Sequence, residues 1–268
     1  MHQIKFIFTL SALLAMFLFF SCNNVENTTQ SSDPNPPANG FDLEGSDTKA
    51  IEIADEVMLA MGGRTNWDQT RIIKWNFFGS RLLVWDKWSG DVRIEDPKEN
   101  STTLVNIKNK KGQVKVGDVI HESIDSIAKY IEAGRTKWIN DSYWLFMPFK
   151  LKDSGVTLKY IGIDTTEAGK AADLLQLTFN NVGISPEHKY YVYVDTETRL
   201  VSEWAFFNKA EAEKPIFKTP WNNYTQHGHI LLSDERGKGR LLSDIQVFDE
   251  LPEAVFRSLD PVDWSTVK

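Results

Sequence analysis

The sequence predicts a mainly β domain of the α+β class, one large curled antiparallel sheet with two helices packed against it. Three observations predict it. From Arg71 onward, short segments alternate apolar and polar residues, the period of a strand with one buried face. Turns rich in Gly, Asn and Asp separate them at hairpin spacing, so neighbours in sequence should pair in space. Only two stretches repeat apolar residues at helical spacing, and roughly ten strands in meander order with two helices suit one wide sheet.

The chain opens on a targeting signal. Residues 1–5 are a short basic start, residues 6–20 are apolar apart from Thr9 and Ser11, and "FFSC" follows. An apolar run of roughly 15 residues is too short for a membrane span, which takes roughly 20, and has the layout of a secretory signal. Cys22 is the only cysteine, so it has no disulfide partner and no partner for a cysteine metal site. A lone cysteine behind a signal resembles the bacterial lipobox, whose thiol is acylated; here Phe19 stands where leucine is usual. Each buried methylene contributes roughly 0.8 kcal/mol, so several acyl chains on Cys22 would hold the protein to a bilayer. The expectation is a signal peptide over 1–21, lipidated Cys22 and a disordered tether over 22–45, and a single domain over 46–268. The tether reading rests on polar "NNVENTTQSSDPNPPANG", punctuated by Pro34, Pro36 and Pro37. Such a protein is extracytoplasmic and lipid-anchored to the cell envelope.

Charge excludes one class of partner. The chain carries 30 Lys and Arg against 37 Asp and Glu, and loses Lys5 with the signal, so nucleic acid is not expected as a ligand.

Within the domain, Ser46 or Asp47 caps a first helix in which Ile51, Ala54, Val57, Met58 and Met61 recur, and Gly62-Gly63 stops it. In "RIIKWNFFG", Ile73, Trp75 and Phe77 share a face; in "RLLVWDKWSGDVRIED", Leu83 and Trp85 do. A two-residue Ser89-Gly90 loop there would set Trp85 opposite Ile94 and Asp86 opposite Arg93. "TTLVNIKN" and "QVKVGDVI" follow as strands. "SIDSIAKYIEAG" reads as the second helix, capped by Asp118 or His121, with Ile124, Ile127, Ala128 and Ile131 on one side. "VTLKYIGID", "DLLQLTFNNV", the hairpin "KYYVYVDTETRLVSEWAFF" turning at residues 195–198, "HILLSDE" and "DIQVF" complete the strands. Alternation against Lys74, Asn76, Lys159 and Gln176 puts Trp75, Phe77, Leu83, Trp85, Leu158, Leu175, Leu177 and Val201 on the concave face.

One stretch is unusually apolar. "NDSYWLFMPFKLKDSG" packs Tyr143, Trp144, Leu145, Phe146, Met147 and Phe149 around Pro148, which breaks any helix through its middle. Two helices cover only part of a wide concave face, and what remains uncovered is apolar concavity. Trp144, Phe146, Met147 and Phe149 are therefore expected, with the concave-face set, to line a ligand cavity.

The signal with its cysteine, the helix ending in "MGG", "WNFFG", "LLVWDKWSGDVRIE", "YWLFMPFKLKDSGVTLKYIG" and "YYVYVDTETRLVSEWAFF" together resemble a family of uncharacterised Bacteroidota lipoproteins. That family is similar to the outer-membrane lipoprotein-carrier and receptor superfamily. The resemblance covers the whole domain and implies a half-open β-barrel with helices across its mouth, holding acyl chains in an apolar cavity. The basic residue that some carriers place near the cavity has no motif-level match here, so no binding residue is carried over.

Catalytic signatures are missing from the sequence: there is no GxSxG, HExxH or GxxxxGK[ST]. His227 and His229 in "HGH" would need a third ligand such as Asp234 or Glu235 to hold a metal, and an exposed loop is the simpler reading. The acid pairs Asp86/Asp91 and Glu95/Asp96 flank turns, where carboxylates are solvated. The expectation is a binding protein without enzymatic activity, cofactor or metal. Its partners are the membrane, through the acyl anchor, and a lipid or acylated protein as ligand. The competing reading is a surface glycan-binding lipoprotein that uses Trp and Tyr of "NDSYW" and "PWNNYTQHGH" as stacking platforms, with a hydrolase third. Burial separates the first two: a lipid lining is enclosed, a sugar platform open and rimmed by polar groups.

Overall fold

The computed structural model describes residues 33–267 apart from 181, 182 and 184. Cys22, the signal peptide and the first part of the tether lie outside the described residues.

The fold is mainly antiparallel β with a few helices, and it is not closed into a barrel. Helices α1 (Thr48–Ala60) and α2 (Arg64–Gln69) precede β1 (Ile72–Phe77), β2 (Arg81–Asp86), β3 (Asp91–Asp96), β4 (Ser101–Asn106), β5 (Lys111–Val116) and β6 (Val119–Ile120). Helix α3 (Ile124–Phe146) runs into a 3-10 turn (Met147–Lys150). Then come β7 (Val156–Thr165), β8 (Ala171–Phe179), β9 (Lys189–Asp195), β10 (Val201–Phe207), β11 (Phe217–Pro220), β12 (Asn222–His227), β13 (Ile230–Glu235), β14 (Leu242–Phe248) and α4 (Ala254–Arg257).

The strands form three hydrogen-bonded sheets: β14-β1-β2-β3-β4-β5-β6, β11-β10-β9-β8-β7, and the β12-β13 hairpin. The hairpin links the other two. Only Trp221 separates β11 from β12, so one extended run leaves β10 and picks up β13. A Glu235–Leu241 bridge then leads into β14. The sequence expectation of one curled sheet thus becomes a series that changes partners at Trp221 and at residues 236–240.

Two helices cover the inner face. Helix α1 buries Ala50, Ile53, Ala54, Val57 and Met58, and Gly63 N–H closes it on the Met58 carbonyl at 2.8 Å. Asp47 holds the N-cap position, but its carboxylate accepts from Lys159 Nζ and the Tyr160 amide, both at 3.0 Å, tying α1 to β7.

Helix α3 is longer than the sequence suggests, because Gly134 does not end it. That glycine is where the helix crosses the sheet: a Cβ there would meet Thr103 Cγ2 at 3.0 Å. Gly112 on β5 does the same from below, where a Cβ would lie 2.0 Å from the Leu104 carbonyl oxygen and 2.4 Å from Ile131 Cδ1. Both residues are absent side chains that let helix and sheet approach. Ser123, rather than Asp118 or His121, caps α3, accepting from the Ser126 amide. Pro148 does end it, and the aromatic run belongs to its last turns and the 3-10 turn.

Three further expectations change. The β2–β3 loop is two residues longer than Ser89-Gly90, so Trp85 faces Val92 and Leu83 faces Ile94. A shift of two keeps every side chain on its face. Asp86 pairs with Arg71 at 3.0 Å, and its other oxygen accepts the Trp88 and Ser89 amides of the loop. Arg93, fully buried, bonds Glu95 at 2.6 Å and the carbonyls of Ser258 and Asp260 at 2.8 and 2.6 Å. The C-terminal segment therefore covers the outer face, where Val255, Phe248, Leu251 and Trp264 pack with Ile72 and Val84. This is why Lys74, an outward residue by alternation, is buried beside Gln246 and the Trp264 ring. Finally, residues 35–45 dock on the domain instead of floating: Phe41 is buried, and the Ala38 and Asp42 amides bond the Lys152 and Val156 carbonyls.

Candidate functional site: an aromatic cavity between helix α3 and the second sheet

The last turns of α3 place Ile139, Asn140, Tyr143 and Trp144 on one face, at the spacing that makes helical neighbours. Across from them the second sheet presents a row of rings. Phe217, Phe206 and Tyr190 are register partners on β11, β10 and β9, with centroids 5.2 and 5.4 Å apart. Trp204 shares their face of β10, two residues from Phe206, and stacks on Tyr190 at 5.0 Å. Phe179, at the end of β8, meets Tyr190 edge-on at 5.9 Å.

Between helix and rings lies a cavity of about 260 Å³. Its described lining comprises the residues just named with Gly183, Ser185 and His188 of the β8–β9 connection. The two walls touch around it: Trp144 meets Trp204 edge-on at 5.0 Å and lies nearly parallel to Phe217 at 5.9 Å, and Tyr143 approaches Tyr190 at 5.4 Å. Polar groups gather from Asn140, Ser185 and His188. The Asn140 amide N–H donates to Asp141 at 2.9 Å, leaving its carbonyl oxygen as acceptor.

Burial controls the ionisable groups here. It pushes the Tyr190 hydroxyl up to about 12 and raises Tyr143 well above the ordinary phenol value, so both stay neutral. The Tyr143 hydroxyl and Trp204 Nε1 have no hydrogen-bond partner among the described residues.

Two arginines fix the helix that forms the upper wall. Arg81 clamps buried Asp141, the neighbour of lining residue Asn140, with two 2.8 Å bonds, while burial pushes that carboxyl upward. Arg236, fully buried, donates to the Trp144 carbonyl at 2.7 Å, a cation against the C-terminal end of α3. It lies 3.7 Å from the Trp221 ring centroid, and Trp221 in turn backs Trp204. Burial lowers its guanidinium to about 9.

Of the lining residues expected from sequence, Trp144 borders this cavity. Trp75, Phe77, Leu83, Phe146, Met147, Phe149, Leu158, Leu175, Leu177 and Val201 are buried in the main core, and Trp85 packs against it. The physical reason is coverage: α1, α2 and the 3-10 turn fill that end of the concave face. Phe146 reaches Trp67, Trp75 and Trp85 at 5.5, 5.3 and 5.7 Å, and Phe149 stacks on Trp67 at 4.3 Å. The open concavity lies over the rings of the second sheet, beyond Leu158, Leu175, Leu177 and Val201 of that same sheet. Tyr190, Trp204, Phe206, Phe217, Phe179, Ile139, Asn140 and His188 were missed, although "KYYVYVD" and "SEWAFF" carry the signal: bulky rings on the same face of two strands joined by a hairpin.

The glycan platform expected from "PWNNYTQHGH" is not available as such. Trp221 is core, and Tyr224 points its hydroxyl at the Val201 carbonyl, 2.9 Å away. Gly228-His229 forms the β12–β13 turn, His227 contacts Thr225, and burial lowers the His227 pKa. Among the described residues no group of three or more His, Cys, Asp or Glu is placed to hold a metal. Asp86, Asp91, Glu95 and Asp96 each pair with a cation: Arg71, Arg257, Arg93 and Lys137.

No family model matches the chain, and no curated protein does. Among solved structures, it is similar to a DUF1329 family protein from Desulfovibrio piger at 10% identity and a TM-score of 0.43, over 79% of this chain and 99% of that one. It is also similar to a LolA superfamily protein from Nitrosomonas europaea at 10% identity and a TM-score of 0.40, over 77% of this chain and 96% of that one.

Proposed function

We propose that this protein is a membrane-anchored envelope lipoprotein that binds a hydrophobic ligand, a lipid or the acyl chains of a lipoprotein, in the aromatic cavity under α3. The observation that carries the reading is the cavity itself. Eight of its twelve described lining residues bear rings, and none is Lys, Arg, Asp or Glu. Water inside such a wall finds few hydrogen-bond partners, whereas an apolar ligand gains roughly 25 cal/mol per Å² removed from water, before ordering costs. The anchor is supported by the signal and "FFSC", with Cys22 as the acylated residue. No helix among the described residues is long and apolar enough to cross a membrane.

The test of the anchor is Cys22→Ser, which should release the protein from the membrane fraction or stall its processing. Unchanged maturation and fractionation would remove the anchor. The same variant, purified without detergent, should take up a fluorescent fatty-acid probe with saturable binding. A protein that binds no such probe is not a lipid-binding module.

A further inference from the structure

Resting on that reading, we infer that the cavity takes a single-chain amphiphile whose head is uncharged and hydrogen-bonding, such as a monoacylglycerol, in place of a two- or three-chain lipid. Size sets the first limit. At about 260 Å³ the space is less than twice an engineered cavity of about 150 Å³ that holds one benzene, and it falls below the range of about 300–1,000 Å³ usual for drug-sized ligands. One chain end fits between the α3 wall and the Phe217–Phe206–Tyr190 row. Ring contacts between the two walls, Trp144 to Phe217 at 5.9 Å and Tyr143 to Tyr190 at 5.4 Å, narrow the space around it, so its volume suits one chain end in preference to two.

Chemistry sets the second limit. Asn140, Ser185 and His188, together with the phenol hydroxyls of Tyr143 and Tyr190, are the amide, hydroxyl and imidazole groups of the described lining. An ester, hydroxyl or amide can exchange hydrogen bonds with them. A carboxylate or ammonium would lose hydration against a described lining that carries no Lys, Arg, Asp or Glu, and that loss is costly. Specificity for an uncharged head follows from what is paired elsewhere: Asp141, next to Asn140, is already clamped by Arg81, so its charge is not offered to a ligand.

The test is competition against N-phenyl-1-naphthylamine, an uncharged fluorescent probe, on the full mature chain carrying Cys22→Ser. The competitors are monodecanoylglycerol, decanoate, decyltrimethylammonium and 1,2-dihexanoylglycerol. Monodecanoylglycerol should displace the probe at least about tenfold more effectively than the other three, given the penalty for unpaired charge and the lack of room. The variants His188→Phe and Asn140→Leu should each weaken monodecanoylglycerol by about fivefold to tenfold relative to the probe measured on the same variant, as loss of one hydrogen bond does. Equal displacement by the charged or two-chain competitors, or two neutral variants, overturns the head and chain assignment while the cavity remains a hydrophobic site. A wild-type chain that never binds the probe overturns the hydrophobic site, and this inference with it.

Discussion

Trp144 and Phe146 sit two residues apart at the end of α3, and truncating each should give opposite results. Phe146 is fully buried and touches Trp67, Trp75 and Trp85, so Phe146→Ala leaves a sealed void among three rings. Such a truncation costs about 3–5 kcal/mol. Trp144 also meets three rings, Phe78, Trp204 and Phe217, but its remaining surface borders the 260 Å³ cavity. Trp144→Ala merges its volume with existing space, so the loss is mainly that of ring contacts, roughly 0.5–1 kcal/mol each and about 1.5–3 kcal/mol in all. For a domain of this size each kcal/mol lowers Tm by about 2–4 °C, which separates the variants by several degrees. Binding should move the other way. If about 60 Å² of the indole faces the ligand, its removal forfeits about 1.5 kcal/mol, close to tenfold in affinity. Thermal unfolding and fatty-acid probe titration on both proteins check this. If Trp144→Ala is as destabilised as Phe146→Ala and binds the probe like wild type, Trp144 is ordinary core and the site lies elsewhere.

Two other perturbations follow from the packing. Burial lowers the Lys87 ammonium, seated over the Trp67 ring and bonded to its carbonyl, from 10.5 to about 7. Between those values the unfolded chain holds a proton that the folded one lacks, so stability should rise with pH from 7 to about 10, by at most about 1.4 kcal/mol per unit from this group. Lys87→Met should flatten that slope in urea titrations. Above pH 10 the sign reverses, because the raised phenols of Tyr143, Tyr190 and Tyr224 stay protonated in the fold when the unfolded chain loses its protons. Gly112→Ala should cost about 1–3 kcal/mol or more, since its methyl would overlap the Leu104 carbonyl. Gly134→Ala should cost less, its milder contact with Thr103 being offset by about 1 kcal/mol of helix propensity. Equal urea midpoints for the two would contradict the crossing described for α3.

Local periodicity carried most of the fold. The alternation in "RIIKWNFFG" and "DLLQLTFNNV" put Ile73, Trp75, Leu175 and Leu177 on the inner side, where they are buried. Even the misplaced β2–β3 register kept the faces, because a slip of two preserves alternation. Gly134 shows where the reading stops. In sequence a glycine at the end of a periodic stretch looks like a helix terminus, and only contact with Thr103 reveals it as the point of closest approach.

The sequence by itself determined the material from which the site is built: the apolar run around Trp144 and the ring-rich strands of β9 and β10 follow from residue types and period. Which rings line a space and which fill a core was decided by tertiary structure alone. Trp75 and Trp204 are equally aromatic, equally strand-borne and both buried. They differ in what stands opposite, Phe146 inserted between helix and sheet in one case and a cavity in the other. That depends on the length of α3, the turn at Pro148 and the partner switch at Trp221. Each is a long-range packing outcome, and hydrophobic burial has no direction of its own until those contacts fix it.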